Sequence, residues 1–370
     1  MPTSDTTIVS NDMQEIADAL GERIQQLEDA TILLTGGAGV LGYYLINFFA
    51  HANATLLKNK CRVICLDNFI RGVPPWLAPF ERSGAIRTVK ADITQFDPAA
   101  LGEIDYIIHA ASIASPMYYR QYPIETMDAN VIGLRILLDH AAVKMKSARP
   151  LKSFLFFSSS EIYGDPPPEF IPTKEDFRGL VSCTGPRACY DESKRYGETL
   201  CVNFHQSRGV PVKIARPFNN YGPGLSIDDR RVIPDFCKNI LNGQNIVMLS
   251  DGSPTRTFCY IADAISGYLL MLLSNHNGES FNIGIETPEI SIRNMALTLL
   301  NVAERELGIG GLKLITGTSE DKNYLVDNPD RRRPSIEKAR RLLGYNPKVS
   351  LGEGLRRALL WYSAQIKMGK

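Results

Sequence analysis

The sequence predicts an α/β fold with a doubly wound parallel sheet and a second, smaller α/β domain towards the carboxyl end. A short apolar run, a cluster of glycines and a helical pattern follow one another over residues 30–50. Five similar apolar runs then alternate with segments long enough for helices, and after about residue 216 loops rich in Pro, Gly, Asp and Arg are interleaved with shorter helices. Alternating strands and helices favour right-handed crossovers and a parallel sheet that is covered on both faces.

The chain opens with a predicted amphipathic helix. Apolar residues recur at helical spacing over residues 13–27, within a leader segment that we assign to residues 1–29. Six strands are predicted after it, in the runs ATILLT, CRVICLDN, IRTVKAD, DYIIHAAS, SFLFFSSS and VKIARPFN.

The sheet is expected to form a cofactor-binding domain from two parts of the chain. Residues 30–216 supply its predicted strands, and residues 256–285 return to it. Residues 217–255 and 286–370 form the smaller domain, which we expect to bind the substrate.

Charge and composition exclude several classes of partner. The 370 residues carry 41 basic and 40 acidic side chains, which gives a formal net charge of +1. This balance provides no general attraction to nucleic acids or membrane surfaces, so an anionic partner must be held locally. The first thirty residues lack a signal-peptide pattern, and no window reaches the roughly 18 apolar residues of a membrane span. We therefore expect a cytoplasmic protein with no nucleic-acid or membrane partner.

The glycines of TGGAGVLG predict a dinucleotide site. Gly36, Gly39 and Gly42 have the spacing of a turn that lets a pyrophosphate approach the backbone, where amides at the start of the next helix attract negative charge. Asp67 lies 25 residues beyond Gly42, at the end of the next apolar run. A carboxylate there accepts hydrogen bonds from both ribose hydroxyls and repels a 2′-phosphate, which favours NAD over NADP in a Rossmann-type domain.

Further cofactor contacts are expected at the ends of the next strands. Asp92 follows the third strand, where it would meet the adenine amino group; the alternative is that it only caps a turn. Small residues after the fourth strand would let that strand end lie against the cofactor. The predicted set is Gly36, Gly39, Val40, Leu41, Gly42, Asp67, Asn68, Asp92, Ile93, Ala110, Ala111, Tyr190 and Lys194.

The segment YDESKR predicts the base of a reaction. Tyr190 and Lys194 are four residues apart, so both lie on one face of a helix. The phenol of tyrosine normally titrates at about 10, but a neighbouring ammonium and a positive nicotinamide ring both favour the phenolate. We therefore expect Tyr190 to act as a base near neutral pH.

Ser159 and Glu161 follow the fifth predicted strand. Ligands of open parallel sheets bind at the carboxyl ends of the strands, and Tyr190 begins the next helix. Ser159 would share the hydrogen bond of a substrate hydroxyl with Tyr190, and Glu161 would face a neighbouring carbon. The alternative for both residues is simple capping of a turn or helix.

These motifs resemble those of the extended short-chain dehydrogenase/reductase family, the NAD-dependent nucleotide-sugar epimerases, dehydratases and decarboxylases. The resemblance covers roughly residues 30–362. The segments SSSEIYGDP, GPRACYDESKR, ARPFNNYGP, TRTFCYIAD and RRRPSIEKARRLLGYNP are most similar to those of its UDP-glucuronate decarboxylases, and GPRACYDESKR is the most specific of them.

The resemblance implies a role for each site residue, a UDP-sugar substrate and a homodimer. Its catalytic positions fall on Ser159, Glu161, Tyr190 and Lys194. Its substrate-binding positions fall on Ser115, Asn219, Arg231, Arg256 and Arg332. Guanidinium groups gathered at one place would let a nearly neutral protein bind a dianionic diphosphate, although each arginine taken alone is equally compatible with an ordinary surface charge.

The implied reaction is NAD-dependent decarboxylation of UDP-glucuronate to UDP-xylose. Tyr190 removes the C4 hydroxyl proton as the C4 hydride passes to NAD, the 4-keto sugar loses carbon dioxide without help from a metal, and the hydride returns to C4. Three alternatives remain open: 4-epimerisation of a UDP-sugar or uronic acid, 4,6-dehydration, and an NAD-binding regulatory protein without turnover. Ser160 stands where the dehydratases carry an aspartic acid, and a hydroxyl is a far poorer acid, which disfavours dehydration.

Overall fold

The computed structural model describes residues 5–318 and 326–367. The predicted leader (1–29) and the last predicted domain segment (286–370) therefore extend beyond the described residues, into positions 1–4, 319–325 and 368–370. The proposed division into domains remains a prediction.

Helices and strands alternate along the described part of the chain. The strands are β1 (Thr31–Thr35), β2 (Arg62–Asp67), β3 (Ile86–Lys90), β4 (Tyr106–His109), β5 (Ser153–Phe157), β6 (Val212–Pro217), β7 (Asn220–Tyr221), β8 (Ile246–Met248), β9 (Thr255–Arg256), β10 (Cys259–Tyr260), β11 (Glu279–Ile283), β12 (Ile290–Ser291), β13 (Leu314–Thr316) and β14 (Arg331–Arg332).

The described α-helices range from 6 to 21 residues in length. The α-helices are α1 (Asp5–Leu20), α2 (Val40–Thr55), α3 (Leu77–Arg82), α4 (Pro116–Gln121), α5 (Pro123–Asp128), α6 (Leu134–Lys144), α7 (Ala188–Arg208), α8 (Val232–Leu241), α9 (Ile261–Leu272), α10 (Ile292–Leu307), α11 (Glu337–Leu343) and α12 (Leu351–Lys367). Short 3-10 helices cover Gly21–Leu27, Pro98–Leu101, Ser160–Tyr163 and Pro168–Phe170, and a π-helical turn covers Ala129–Gly133. Among the described helices, none combines the length and the apolar character that a membrane crossing would need.

Seven strands form one parallel sheet, which confirms the predicted fold class. Their order is β11-β6-β5-β4-β1-β2-β3, and every neighbouring pair runs parallel. The order reverses between β1 and β4, and open α/β sheets bind ligands outside the carboxyl ends of the strands at such a switch point. Strands β1 to β6 coincide with the six predicted runs, whereas β11 lies outside them.

Apolar side chains cover both faces of this sheet. Strands β1 and β5 are buried along their whole length. Leu34 and Leu155 belong to one hydrophobic cluster, while their neighbours Leu33 and Phe154 belong to a second cluster. Because successive side chains of a strand point to opposite faces, the continuous apolar runs of the sequence are what a sheet with two covered faces requires.

The leader helix begins earlier than predicted and packs into the core. Helix α1 ends at Leu20, Gly21 adopts a positive φ of 55°, and a 3-10 helix continues through Leu27. Met13, Ile16, Leu20 and Leu27 are buried, and burying each such side chain contributes roughly 1.5–3 kcal/mol. The helix contacts α2, α9 and α12, so it is a structural part of the domain.

A buried carboxylate fixes this helix to three other segments. Asp12 accepts hydrogen bonds from the hydroxyls of Tyr44 and Tyr260, both at 2.7 Å, and from the guanidinium of Arg357 at 2.8 Å. Burial raises the pKa of Asp12 to about 6. The folded protein therefore holds a proton here more tightly than the unfolded chain does.

Three small sheets carry much of the second half of the chain. Strand β9 pairs with β12 and with β14, β7 pairs with β10, and β8 pairs with β13. In the parallel register of β9 and β14, Arg256 lies opposite Arg332. Two predicted substrate-binding arginines that are distant in sequence are therefore neighbours.

We expect the substitution Asp12→Asn to change how stability depends on pH. Because folding raises the pKa of Asp12 from 3.8 to about 6, its proton stabilises the fold fully below about pH 4, and up to about 3 kcal/mol of this is lost as the pH rises through about 6. Chemical denaturation should show wild type losing that much unfolding free energy relative to Asp12→Asn between about pH 4 and 7. Asp18→Asn, an exposed change on the same helix, is the control. Identical pH profiles for wild type and Asp12→Asn would contradict the prediction.

Candidate active site

The glycine turn after β1 is closely packed where it meets the strands and open where helix α2 begins. Gly36 has a φ of +72°, and a Cβ there would lie 2.5 Å from the backbone nitrogen of Ala111. A Cβ on Gly42 would lie 2.1 Å from the carbonyl oxygen of Gly37. Gly39 precedes the helix without a side-chain cap, and a Cβ there would meet nothing closer than 3.4 Å. The first amides of α2 are thus left for an anion, and this turn fits the pyrophosphate of a dinucleotide.

Asp67 ends β2 beside the same turn. Its Oδ2 accepts the N–H of Ala38 at 3.0 Å, and its Oδ1 accepts the N–H of Phe69 at 2.8 Å. A carboxylate accepts up to about four hydrogen bonds, so acceptor capacity remains for ribose hydroxyls. The position agrees with the predicted role, which remains a prediction.

The other predicted cofactor residues are placed unequally. Val40 and Leu41 are half-buried at the start of α2, and the backbone of Ala110 and Ala111 lies against Gly36. Ile93 is buried in the core, so its side chain serves packing. Asn68 and Asp92 are exposed and lie in turns. The side chain of Asn68 accepts a hydrogen bond from the N–H of Ile70 at 3.0 Å. The side chain of Asp92 accepts hydrogen bonds from the N–H and the hydroxyl of Thr94, at 2.9 and 2.8 Å. Asp92 therefore caps a turn, and its contact with the adenine amino group remains a prediction.

The four predicted catalytic residues lie at the carboxyl edge of β5 and in the first two turns of α7. The Ser159 side chain lies close enough to the phenol of Tyr190 to lower its pKa, and the Ser159 hydroxyl accepts the N–H of Glu161 at 3.2 Å. Lys194 Nζ donates to the carbonyl of Phe157 at 2.8 Å and lies 5.6 Å from the centroid of the Tyr190 ring. Ser159 therefore both faces the tyrosine and caps the short helix that follows.

In the protein alone, the pKa of Tyr190 is not lowered. Burial raises it to about 12, although the nearby Ser159 hydroxyl and the charge of Arg231 act in the opposite direction. Burial also lowers the pKa of Lys194 to about 7, because apolar surroundings disfavour the ammonium. The expectation that this ammonium makes the phenol acidic is therefore wrong for the chain by itself. The positive nicotinamide ring remains the expected cause of such a shift.

Glu161 is the centre of a buried ion-pair cluster. Its two carboxylate oxygens accept hydrogen bonds from the two Nη atoms of Arg332, one of them at 2.6 Å, and it also pairs with Arg187. Burial alone would raise the pKa of Glu161, but Arg332, Arg187 and Arg256 together lower it to about 2. Glu161 is therefore ionised at neutral pH, and its orientation is fixed by Arg332 and Arg187.

Arg256 lies beside this cluster. Its guanidinium donates to backbone carbonyls of its own strand and of the segment before β14. Burial and the charge of Arg332 lower its pKa to about 9. Asn219 donates its side-chain amide to the carbonyl of Thr257, the residue after Arg256, at 2.9 Å. The structure thus brings Arg256 and Arg332 together with Glu161, and it places Asn219 in contact with the residue that follows Arg256.

Asp229 gathers the remaining predicted substrate residues. It is fully buried and forms ion pairs with Arg231 at 2.9 Å and with Arg71 at 3.2 Å. The hydroxyl of Ser115 donates to the backbone carbonyl of Asp229 at 3.4 Å. Because the charge of Arg231 lowers the pKa of Tyr190, this group lies within electrostatic reach of the reacting tyrosine.

Three residues outside the predicted set complete the site. Arg187 pairs with Glu161, and Asp191 lies with its Oδ2 3.8 Å from Nε of Arg187. Tyr119 stacks on Tyr190, with ring centroids 5.1 Å apart and planes inclined by 13°. Arg187 and Asp191 stand three residues before and one residue after Tyr190, so helical spacing was an available signal for the arginine. Tyr119 lies in α4, and its approach is set by the tertiary fold.

This geometry can remove a proton from a bound hydroxyl at Tyr190 while arginines hold negative charge nearby. Comparison with known proteins identifies the family. Residues 32–284 match the sequence model of the family described as "NAD dependent epimerase/dehydratase family".

Curated relatives and solved structures agree with this match. The chain is 35% identical over 325 residues to UDP-glucuronic acid decarboxylase 3 of Arabidopsis thaliana, which covers 88% of this chain and 86% of the relative. It is 34% identical to UDP-glucuronic acid decarboxylase 1 of Xenopus tropicalis, over 96% of this chain and 81% of the relative.

A similar solved structure is UDP-glucuronic acid 4-epimerase from Bacillus cereus in complex with UDP-glucuronic acid and NAD. It has a TM-score of 0.74 and 27% identity, and the match covers 91% of this chain and 99% of that one. The dTDP-glucose 4,6-dehydratase of Streptomyces venezuelae has a TM-score of 0.75 and 26% identity, over 91% of this chain and 98% of that one. This chain therefore belongs to the NAD-dependent epimerase/dehydratase family.

Proposed function

We propose that this protein converts UDP-glucuronate to UDP-xylose by NAD-dependent decarboxylation through a 4-keto intermediate. The observation that carries the proposal is the group of three guanidinium groups around Glu161, next to Tyr190. Relatives named UDP-glucuronic acid decarboxylase, 34–36% identical over most of this chain, support it.

The charge of this cluster favours a sugar acid over a neutral sugar. Arg187, Arg256 and Arg332 bring three positive charges to a site in which Glu161 is the strongly ionised carboxylate. Their mutual repulsion contributes to the lowered pKa of Arg256. A buried excess of positive charge is costly until an anion enters. The C6 carboxylate of a uronic acid supplies that anion beside the reacting C4.

The residues of the chain divide the chemistry between them. Tyr190 takes the proton of the C4 hydroxyl, and Ser159 holds that hydroxyl in place. NAD, when bound at the glycine turn and beside Tyr190, accepts the C4 hydride and later returns it. Glu161 keeps the arginines oriented, and the arginines hold the carboxylate until the C4 ketone, which lies β to it, allows carbon dioxide to leave.

Two other reactions of the family make different demands. Dehydration requires a proton donor for the departing C6 hydroxyl, and Ser160, which is buried in the short helix after β5, offers a weak acid there. Epimerisation at C4 requires only oxidation and reduction around a rotating ketone, so the same residues would serve it. The mass of the product separates the two from decarboxylation.

We further propose that the protein works as a homodimer in the cytoplasm. Ile124, Met127 and Ile132 are exposed along α5 and the π-helical turn, and helix α7 packs against both elements. Clustered exposed apolar side chains are typical of an interface. All seven cysteines are free, which agrees with a reducing compartment. Light scattering after size-exclusion chromatography tests the dimer, and a monomer mass would refute it.

We expect the purified protein with NAD to release carbon dioxide from UDP-glucuronate. Mass spectrometry should show a nucleotide sugar that has lost the mass of carbon dioxide, and UDP-glucose should give no product because it lacks the carboxylate. A product of unchanged mass and altered configuration would replace the proposal with a 4-epimerase. Loss of water from dTDP-glucose would indicate a dehydratase. Binding of UDP-glucuronate without any product would indicate a regulatory protein.

We expect Tyr190→Phe to abolish C4 oxidation while substrate binding stays within a few-fold of wild type. Loss of a general base costs about 10²–10⁴ in rate, and phenylalanine keeps the stack on Tyr119. The measurement is single-turnover absorbance of the reduced cofactor, with calorimetric titration for binding. Tyr196→Phe, half exposed on the same helix, is the matched control and should behave as wild type. Hydride transfer at the wild-type rate in Tyr190→Phe would contradict the assignment.

A further inference from the structure

Decarboxylation of a sugar acid consumes one proton. The inference about the source of this proton rests on the proposed function. The C4 hydroxyl proton that Tyr190 removes returns to the C4 oxygen when the ketone is reduced. The bond between C5 and the carboxylate is replaced by a bond between C5 and hydrogen. The site must therefore supply a second proton, which Tyr190 does not provide.

The described residues around the site offer few acids for this step. Glu161 is held ionised by its arginine partners, so it is a poor donor. Burial opposes the charge of Arg187, but Glu161 outweighs this effect and holds the pKa of Arg187 above its usual value, so Arg187 keeps its proton. Burial raises the pKa of Tyr119 well above its usual range. Lys194 has a pKa of about 7, but its Nζ already donates to the carbonyl of Phe157. The proton for C5 is therefore sought on a group without such a partner.

Asp191 is the second carboxylate of the cluster, and it is paired far less well than Glu161. It directly follows Tyr190 in the first turn of α7, and its side chain is 92% buried, with 8% exposed. Its Oδ2 lies 3.8 Å from Nε of Arg187, which is beyond hydrogen-bond distance, and its Oδ1 has no hydrogen-bond partner among the described residues. A buried carboxylate without strong donors is costly as an anion, and protonation removes that cost.

Charged and titratable groups surround Asp191 from several elements. Glu161 faces it from the short helix after β5, Arg187 from the start of α7, Arg332 from β14 and Asp327 from the segment before β14. Tyr119 of α4 and the adjacent Tyr190 also interact electrostatically with Asp191. Arg187 and Arg332 are both engaged with Glu161, so the two carboxylates compete unequally for the same cations.

We propose that Asp191 is the proton donor of the reaction: its neutral carboxyl group supplies the proton that replaces carbon dioxide at C5. Two neighbouring carboxyl groups held in opposite protonation states are a recurrent way to separate acid and ion-pairing roles in one site. Glu161 orients the arginines as an anion, and Asp191 stores the proton.

The protonation behaviour of Asp191 agrees with this role. Burial and the charge of Glu161 raise its pKa to about 7, while Arg187 and Arg332 oppose the shift. A bound sugar carboxylate adds another negative charge and favours the neutral acid further. A group with a pKa near the working pH both gives up and regains its proton readily.

The step balances without any further reactant. The C5–C6 bond breaks, carbon dioxide leaves, and the electron pair passes through C5 to the C4 oxygen as an enolate. The O–H bond of Asp191 then breaks, its proton forms the new C5–H bond, and the C4 ketone is restored. Asp191 is left as a carboxylate and regains a proton from solvent, so one proton is consumed overall.

The test compares Asp191→Asn with wild type as NAD-loaded holoenzymes in single turnovers with UDP-glucuronate. The variant keeps size and polarity but has no acidic proton. We expect near wild-type C4 oxidation, accumulation of the reduced cofactor, and pentose formation at least about tenfold slower. Wild-type pentose formation should fall as the pH rises above about 7, and the variant should lack this dependence. Glu192→Gln, a change at the next and partly exposed residue, should behave as wild type.

Infrared difference spectra of wild type against Asp191→Asn give a readout that needs no turnover. Without substrate, wild type should show the carbonyl band of a protonated carboxylic acid at about pH 6, and the variant should lack it. Absence of this band, or pentose formation by Asp191→Asn at the wild-type rate, would overturn the donor role. Equal slowing of C4 oxidation and pentose formation in the variant would also overturn it, because that result indicates a structural role. No carbon dioxide from wild type would instead refute the proposed function itself.

Discussion

The site depends on one largely buried carboxylate, Glu161, held between two arginines. Arg332 and Glu161 are 171 positions apart in the chain, and Arg187 directly precedes helix α7, which carries Tyr190. An unpaired charge in this environment would cost several kcal/mol, so the three segments keep their relative positions only together. Removing the carboxylate would leave guanidinium groups that repel one another. The ion pairs that hold these three segments together therefore also determine the charge of the substrate site.

A second network, made of hydrogen bonds, connects the segments that carry this cluster. Ser158 donates to Glu198, which accepts two hydrogen bonds from Arg216. Arg216 also donates to the hydroxyl of Tyr163, which donates to Asn282 at 2.7 Å. The amide of Asn282 then bonds the backbone shortly after β14. Continuous hydrogen bonding thus links the edge of β5 to the segment that carries the cluster's C-terminal arginine, and such networks lock functional side chains in place.

The sequence predicted what depends on local spacing and missed what depends on tertiary contacts. The glycine turn and the pair Tyr190 and Lys194 have short, fixed spacings, and the strand ends follow from apolar runs. The raised pKa of Tyr190 in the protein alone could not be predicted, because the depth of burial is a property of the whole fold. Tyr119 has no motif, and the unequal pairing of Glu161 and Asp191 arises only when β14 approaches the sheet. Strand β11 shows the same limit. Its short run was not among the predicted strands, and it forms a strand by pairing with β6.

A crystal structure of the protein with NAD and UDP-glucuronate tests the proposed role of the arginine cluster most directly. We expect the C6 carboxylate to lie within hydrogen-bond distance of a guanidinium of Arg187, Arg256 or Arg332. We also expect the C4 hydroxyl to contact the phenol of Tyr190, with Glu161 still ion-paired. A carboxylate in open solvent, or a C4 hydroxyl turned away from Tyr190, would contradict the claim that this cluster selects a sugar acid for reaction at C4.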